Sequence, residues 1–200
     1  MYSIAVTGGI AIGKSVFGQM LSDLGVDVID ADDIVRAMHS PGGRGVQIVS
    51  DLFGSKYVTS DGATNRKLLG NLIFCDTQQR IRLENRIHPL VREELLAWKE
   101  FPSASPFKAA LIPLLFEKGW EKDWNLTVCI NAGEGIRLKR LCERGLTPQQ
   151  SKDRINAQMA SAEKAAKADI VINNESTVED LQKSAALLVS HIMEKINHDR

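Results

Sequence analysis

Ser3-Ile4-Ala5-Val6-Thr7-Gly8-Gly9-Ile10-Ala11-Ile12-Gly13-Lys14-Ser15-Val16, near the amino end of a 200-residue chain, sets the architecture. Ser3 to Thr7 is short, apolar and β-branched, which reads as a buried strand, and Gly8-Gly9 ends it in a turn. From Ser15 to Leu24 the apolar positions Val16, Phe17, Met20, Leu21 and Leu24 recur at helical spacing, and Gly25 stands where a carboxyl-terminal cap belongs. Val26 to Asp30 then gives a second strand. A strand, a glycine loop, a helix and a strand form a βαβ unit, whose crossover places two parallel strands in one covered sheet. The fold class expected is therefore α/β.

Beyond this unit, the stretch from Ala31 to Glu100 contains no comparable apolar strand. Its helical patterns are punctuated by Ser40-Pro41-Gly42-Gly43, Gly54, Asp61-Gly62 and His88-Pro89, so a mostly helical insertion is expected there. Phe107 to Ile112 and Leu126 to Ile130 read as a third and a fourth strand, apolar enough to be central. Glu134 to Arg144 has helical spacing and Gly145 stops it. Thr147-Pro148-Gln149-Gln150 then offers an N-cap, a first-turn proline and a capping-box glutamine, giving a helical hairpin. Ile170-Val171-Ile172 is a short last strand, and Ser176-Thr177-Val178-Glu179 reads as a capping box opening a final helix that carries Leu181, Leu187, Leu188 and Ile192.

Composition narrows the function. Lys and Arg number 25, as do Asp and Glu, and 44% of residues are apolar, the profile of one compact domain over residues 1–200. No run approaches the roughly 18 apolar residues of a spanning helix. Met1 leads straight into the first strand without a basic leader, so a cytoplasmic location and no membrane partner are expected. Zero net charge removes the bulk attraction of a nucleic-acid binder, and any anion site has to be built locally. Cys75, Cys129 and Cys142 are odd in number and never paired as C-x-x-C, which favours reduced, structural thiols. The four histidines show no metal-ligand spacing.

The chemistry begins in the loop. Gly8-Gly9-Ile10-Ala11-Ile12-Gly13-Lys14-Ser15 satisfies G-x-x-x-x-G-K-[ST] between an expected strand and an expected helix. Glycines there let successive amides face inward at phosphate oxygens, while the helix that follows adds the positive end of its dipole. Lys14 neutralises the β and γ phosphates of a nucleoside triphosphate, and the Ser15 hydroxyl suits Mg²⁺ bridging those phosphates. The acceptor belongs at the ends of neighbouring strands, where ligands lie in open parallel sheets. Asp32, just past the second strand, reads either as a carboxylate taking the proton of an attacking hydroxyl or as the N-cap of a helix over 33–38. Arg36, one turn further, reads as an anion contact or as a solvated arginine. No Asn-Lys-x-Asp segment for guanine is present, which disfavours a GTPase switch. Residues 134–167 hold eight Lys or Arg against four acids, a local basic excess expected of a lid that closes on phosphates. Arg140 and Arg144, four apart on one helix face, are its candidate arginines.

Taken in order, Thr7-Gly8-Gly9 with the phosphate loop, Val28-Ile29-Asp30-Ala31-Asp32 with Arg36, Asp61-Gly62, His88-Pro89-Leu90-Val91-Arg92, Pro113-Leu114-Leu115-Phe116-Glu117, Arg154 with Gln158, and Ala168-Asp169-Ile170-Val171-Ile172-Asn173-Asn174 resemble the dephospho-coenzyme A kinase family over nearly the whole chain. The resemblance implies a three-layer P-loop kinase core, a helical substrate-binding region over 32–100 and a lid over 134–167. It implies transfer of the ATP γ-phosphoryl group to the ribose 3′-hydroxyl of dephospho-coenzyme A, with ATP and Mg²⁺ required and a monomer or weak homo-oligomer as the assembly. Carried over to this chain, Asp32 is the catalytic base, and the motif and the basic segment add Lys14 and Arg140 as the residues expected to assist it. The same two features make Gly8, Gly9, Ile10, Ala11, Ile12, Gly13, Lys14, Ser15, Val16 and Arg144 the expected nucleotide contacts, and Asn174, just after the last strand, reads either as a loop residue whose backbone meets adenine or as part of an ordinary turn. Asp32, Arg36, His88, Arg92, Leu115 and Glu117 line the acceptor side, and Ser15 holds the metal. The chain departs from the family pattern at Ala11-Ile12, commonly Gly-Ser, and at Val16, commonly Thr. Two other readings share the loop: a nucleotide-dependent adaptor, which needs no acceptor carboxylate, and a P-loop kinase with a nucleoside monophosphate or shikimate-like acceptor.

Overall fold

The first apolar run forms β1 (Ser3–Thr7), and all five of its residues are buried, as a strand covered on both faces requires. The computed structural model describes residues 1–198. After β1 come α1 (Lys14–Asp23), β2 (Asp27–Asp30), α2 (Ala31–Met38), α3 (Arg44–Phe53), α4 (Arg66–Cys75) and α5 (Thr77–Glu100). The order continues through β3 (Lys108–Leu111), β4 (Leu126–Asn131), α6 (Glu134–Glu143), α7 (Pro148–Asn156), α8 (Ser161–Lys167), β5 (Ile170–Asn173) and α9 (Val178–His198). The chain divides into two compact units, one of residues 1–30 with 99–200 and one of residues 31–98.

In the first unit, five strands pair in the order β2-β3-β1-β4-β5, every pair parallel. Ser3 lies opposite Lys108 on one side of β1, and Thr7 opposite Cys129 on the other. The chain leaves β1 toward one edge of the sheet and later crosses from β3 to β4 on the far side of β1. The carboxyl end of β1 is thus a topological switch point, the place where an open parallel sheet receives its ligand. Phe17 and Leu21 of α1 and Leu181, Ala185, Leu188 and Ile192 of α9 share one apolar cluster with Ile4, Val6 and Val128. α1 stops in a Schellman arrangement, with Val26 N donating to Leu21 O at 3.1 Å and Gly25 N to Ser22 O at 2.9 Å. Gly25 takes the left-handed φ of 83° that this closure needs. Cys129 is fully buried, and burial pushes its thiol up to about 11, which keeps it inert. Cys75 and Cys142 are exposed rather than interior.

Three local expectations need correcting. Residues 134–167 form three helices rather than a hairpin, because the capped α7 ends at Asn156 and the chain turns again before α8. The final helix is capped by Thr177, whose Oγ1 accepts from Asp180 N at 3.2 Å, so the box begins one residue later than Ser176. In the second unit His88-Pro89 ends nothing: α5 runs through Pro89. A proline inside a helix costs about 3 kcal/mol, and here Leu83, Ile87, Val91 and Leu95, all buried at four-residue spacing, hold the helix across the lost N–H. That unit is otherwise helical as expected, with one isolated bridge between Val58 and Thr64. No helix among the described residues is long and apolar enough to cross a membrane.

Candidate functional site

The phosphate loop is held open by side chains from outside it. Arg137 Nε donates to Ile10 O at 3.1 Å, Arg140 Nη1 to Ala11 O at 3.2 Å and Asn174 Nδ2 to Ile12 O at 2.7 Å. Three consecutive carbonyls are thereby tied back, toward α6 and the end of β5. The amides of Ala11, Ile12 and Gly13 donate to no group among the described residues, so these donors are available to an anion. Gly13 takes a left-handed φ of 94° just before α1, and Ala11 takes one of 62° despite its Cβ. Left-handed backbone costs a non-glycine residue on the order of 1–2 kcal/mol. At Ala11 that cost is met by the Arg140 bond and by packing of the methyl with Leu141 and Ile155.

Lys14 is buried, with Nζ 3.8 Å from Oδ1 of Asp30 at the end of β2. Asp30 therefore fixes the lysine at the head of the loop. Ser15 lies in the first turn of α1 and is exposed, as is Val16, while Ile12 is buried. An exposed serine hydroxyl is a hard-oxygen donor of the kind Mg²⁺ prefers, with water and phosphate oxygens filling the remaining positions, so Ser15 fits that ion. No cluster of three His, Cys, Asp or Glu side chains that could hold a metal occurs among the described residues.

The two arginines expected of a lid differ in their surroundings. Arg140 is already committed, its Nη2 donating to Asn174 O at 3.3 Å as well. Arg144 is the exposed C-cap residue of α6, beyond the last helical residue. Arg137, which sequence reasoning passed over, is buried and also donates to Ser161 Oγ at 2.6 Å. Burial lowers its pKa from the ordinary arginine value, with Glu134 opposing the shift. Its three-residue spacing from Arg140 put both on one face of α6, and that was the signal available. Asn174 is buried, and its side-chain amide holds the Ile12 carbonyl.

At the carboxyl end of β3, Glu117 and Lys164 form an ion pair at 2.7 Å, and Lys164 Nζ also donates to Pro113 O at 2.6 Å. Glu117 Oε1 further accepts from Met159 N at 3.2 Å, while its buried Oε2 has no hydrogen-bond partner. A buried acceptor left unpaired marks a place where a ligand donor fits. Leu115 is fully buried, so its side chain packs and presents no surface to an acceptor.

The remaining acceptor-side residues lie in the second unit. A hollow of about 390 Å³ is lined by Asp32, Arg36, His39, Thr64 and Arg66 together with Leu69. Asp32 is the second residue of α2, not its cap, which removes the capping alternative. Arg36 shares the hollow one turn on and pairs with Asp33. Arg66 Nη2 donates to Arg36 O at 2.8 Å, and His39 Nδ1 lies 3.0 Å from Thr64 Oγ1. Burial first, then the Arg66 charge, holds the His39 pKa below its ordinary value, so the ring is neutral at neutral pH. His88 and Arg92 stand one turn apart on α5, half-buried and exposed, outside this hollow. No sequence motif marks His39, Thr64 or Arg66, and it is the fold that brings them together in this hollow.

A family model described as dephospho-CoA kinase matches residues 2–180. Among curated proteins, the dephospho-CoA kinase of Geobacillus kaustophilus is 38% identical over 184 residues, covering 90% of this chain and 92% of the relative. Among solved structures, a Thermus thermophilus protein aligns with TM-score 0.79 at 31% identity, covering 95% of this chain and 97% of that one. Dephospho-CoA kinase from Campylobacter jejuni aligns with TM-score 0.72 at 26% identity, covering 96% and 98%.

Proposed function

The chain belongs to the dephospho-CoA kinase family, and from that membership we propose the chemistry its residues carry out. It is an ATP-dependent kinase of coenzyme A biosynthesis. The γ-phosphoryl group of ATP passes to the ribose 3′-hydroxyl of dephospho-coenzyme A. The observation that carries the reading is the loop itself, with three carbonyls tied outward, three amides left as donors and Lys14 set beside them.

Phosphoryl transfer asks a protein mainly for positioning and charge. The amides of Ala11 to Gly13 and Lys14 Nζ hold the β and γ phosphates, and Ser15 offers its hydroxyl to Mg²⁺. When bound, Mg²⁺ supplies further neutralisation of the phosphate oxygens. Asp32 accepts the proton of the attacking 3′-hydroxyl, which turns the hydroxyl into a nucleophile as the O–P bond forms and ADP leaves. Arg36 and Arg92 attract the anionic part of the acceptor, and His88 and the open Oε2 of Glu117 take its polar groups. Arg140 holds the loop in its binding shape, and Arg144, exposed at the end of α6, remains the arginine free to approach the nucleotide. The family assignment removes the adaptor reading and displaces the shikimate-like one.

The test is a panel of acceptors, dephospho-coenzyme A, AMP and shikimate, each incubated with ATP, Mg²⁺ and the protein, with products resolved by mass spectrometry. Only dephospho-coenzyme A is expected to gain a phosphate. Phosphorylation of AMP or shikimate in its place would overturn the assignment.

A further inference from the structure

We propose that Gln158 is a contact residue for the terminal phosphoryl group, a role that rests on the functional reading above. The Ile10 peptide is clamped at both ends: Arg137 Nε reaches its carbonyl at 3.1 Å, and its N–H donates to Gln158 Oε1 at 2.8 Å. A backbone N–H can only donate, so the atom facing it is the carboxamide oxygen and the orientation of the side chain is fixed. The Nε2 amine is then the end left over, and it has no hydrogen-bond partner among the described residues. Gln158 is half-buried in the short turn between α7 and α8. Its carboxamide therefore brings two neutral donor hydrogens to the first turn of a loop whose other free donors are the amides of Ala11 to Gly13.

The turn that carries Gln158 is anchored from below. Met159 N donates to Glu117 Oε1 at 3.2 Å, Glu117 pairs with Lys164 at 2.7 Å, and Lys164 Nζ reaches Pro113 O at 2.6 Å past the end of β3. Thr7 Oγ1, at the end of β1, shares that carbonyl at 3.4 Å. The side chain is thus fixed to the strand ends as well as to the loop, which is what a donor needs if it is to meet charge without reorganising. Ile10 stands at the opening of the loop, five residues before Ser15. A ligand that lies along the amides toward α1 meets Gln158 with the part farthest from the helix, the terminal phosphoryl.

Gln158→Glu tests this directly. It keeps an oxygen for Ile10 N–H and nearly the same shape, while the donor end becomes a second carboxylate oxygen. Binding of Mg²⁺–ADP and of a non-hydrolysable Mg²⁺–ATP analogue is measured by calorimetry. ADP affinity is expected to stay within about threefold, and analogue affinity to fall by about tenfold or more, the worth of a hydrogen bond to a charged group. Parallel loss for both nucleotides, or loss for neither, overturns the proposal. Should the glutamate variant melt early, Gln158→Met carries the same comparison, with a selective loss for the analogue again expected and an equal loss again fatal. Selective loss in a protein that phosphorylates some other alcohol supports the contact and overturns the functional reading instead.

Discussion

Lys164 is the most demanding group in the fold, because its side chain is 0% exposed while that of its partner Glu117 is 19% exposed. Glu117→Gln would keep an oxygen for Lys164 Nζ and for Met159 N and remove only the charge. The ammonium would then be left in the interior with neutral acceptors. Breaking a buried pair from one side costs about 3–5 kcal/mol. In a chain of this length that corresponds to a fall in Tm of about 6–20 °C. Lys164→Met would strand the less buried partner, which can reach water through its exposed edge, so the loss should be smaller, on the order of 2 kcal/mol. The double variant removes both charges and should be no less stable than the poorer single variant, giving a coupling on the order of 2 kcal/mol or more. Urea denaturation of the parent, both single variants and the double variant at one pH measures all four corners. A Glu117→Gln loss under about 1 kcal/mol, or strictly additive losses, would show that the pair does not hold the segment and refute the reasoning.

Two further outcomes follow from the second unit. Asp32→Asn keeps size and removes the basic oxygen, so kcat should fall by about 10²- to 10⁴-fold with the affinity for ATP little changed; near-normal turnover would leave Asp32 without a role as base. His39, held below its usual pKa by burial and then by Arg66, resists a proton that the unfolded chain accepts around 6.5. Its contribution to stability is complete above that pH and is lost as pH falls below it. His39→Gln should flatten the loss of unfolding free energy between about pH 7 and about pH 5.5, and an unchanged slope would assign the titration elsewhere.

What the sequence revealed is local, and what it concealed is the partnership between distant residues. The strand at 3–7, the Gly25 cap and the Thr147 capping box were legible because neighbours in the chain determine them. Pro89 misled because the four buried aliphatic residues of α5 outweigh one lost hydrogen bond, a balance that tertiary packing decides. The start of α1 at Lys14 and Ser15 was legible from motif spacing alone. Arg137 and Lys164 were not, because their partners stand 127 and 51 residues away in the chain, and Gln158 stood out only as part of the family pattern, its partner Ile10 lying 148 residues away. A lysine on a short helix looks solvated until the turn beyond β3 supplies a carboxylate. The expected departures at Ala11 and Ile12 fall where Arg140 and Asn174 hold the carbonyls, contacts that no local pattern announces.

The most direct test of the account is a single-turnover reaction with ATP carrying ¹⁸O on its γ-phosphoryl oxygens, in the presence of Mg²⁺ and dephospho-coenzyme A. The product should be coenzyme A with the heavy oxygens in one new phosphate on the ribose 3′ position, and Lys14→Ala should abolish their appearance. Label released only as inorganic phosphate, or found on any other atom of the acceptor, would contradict it.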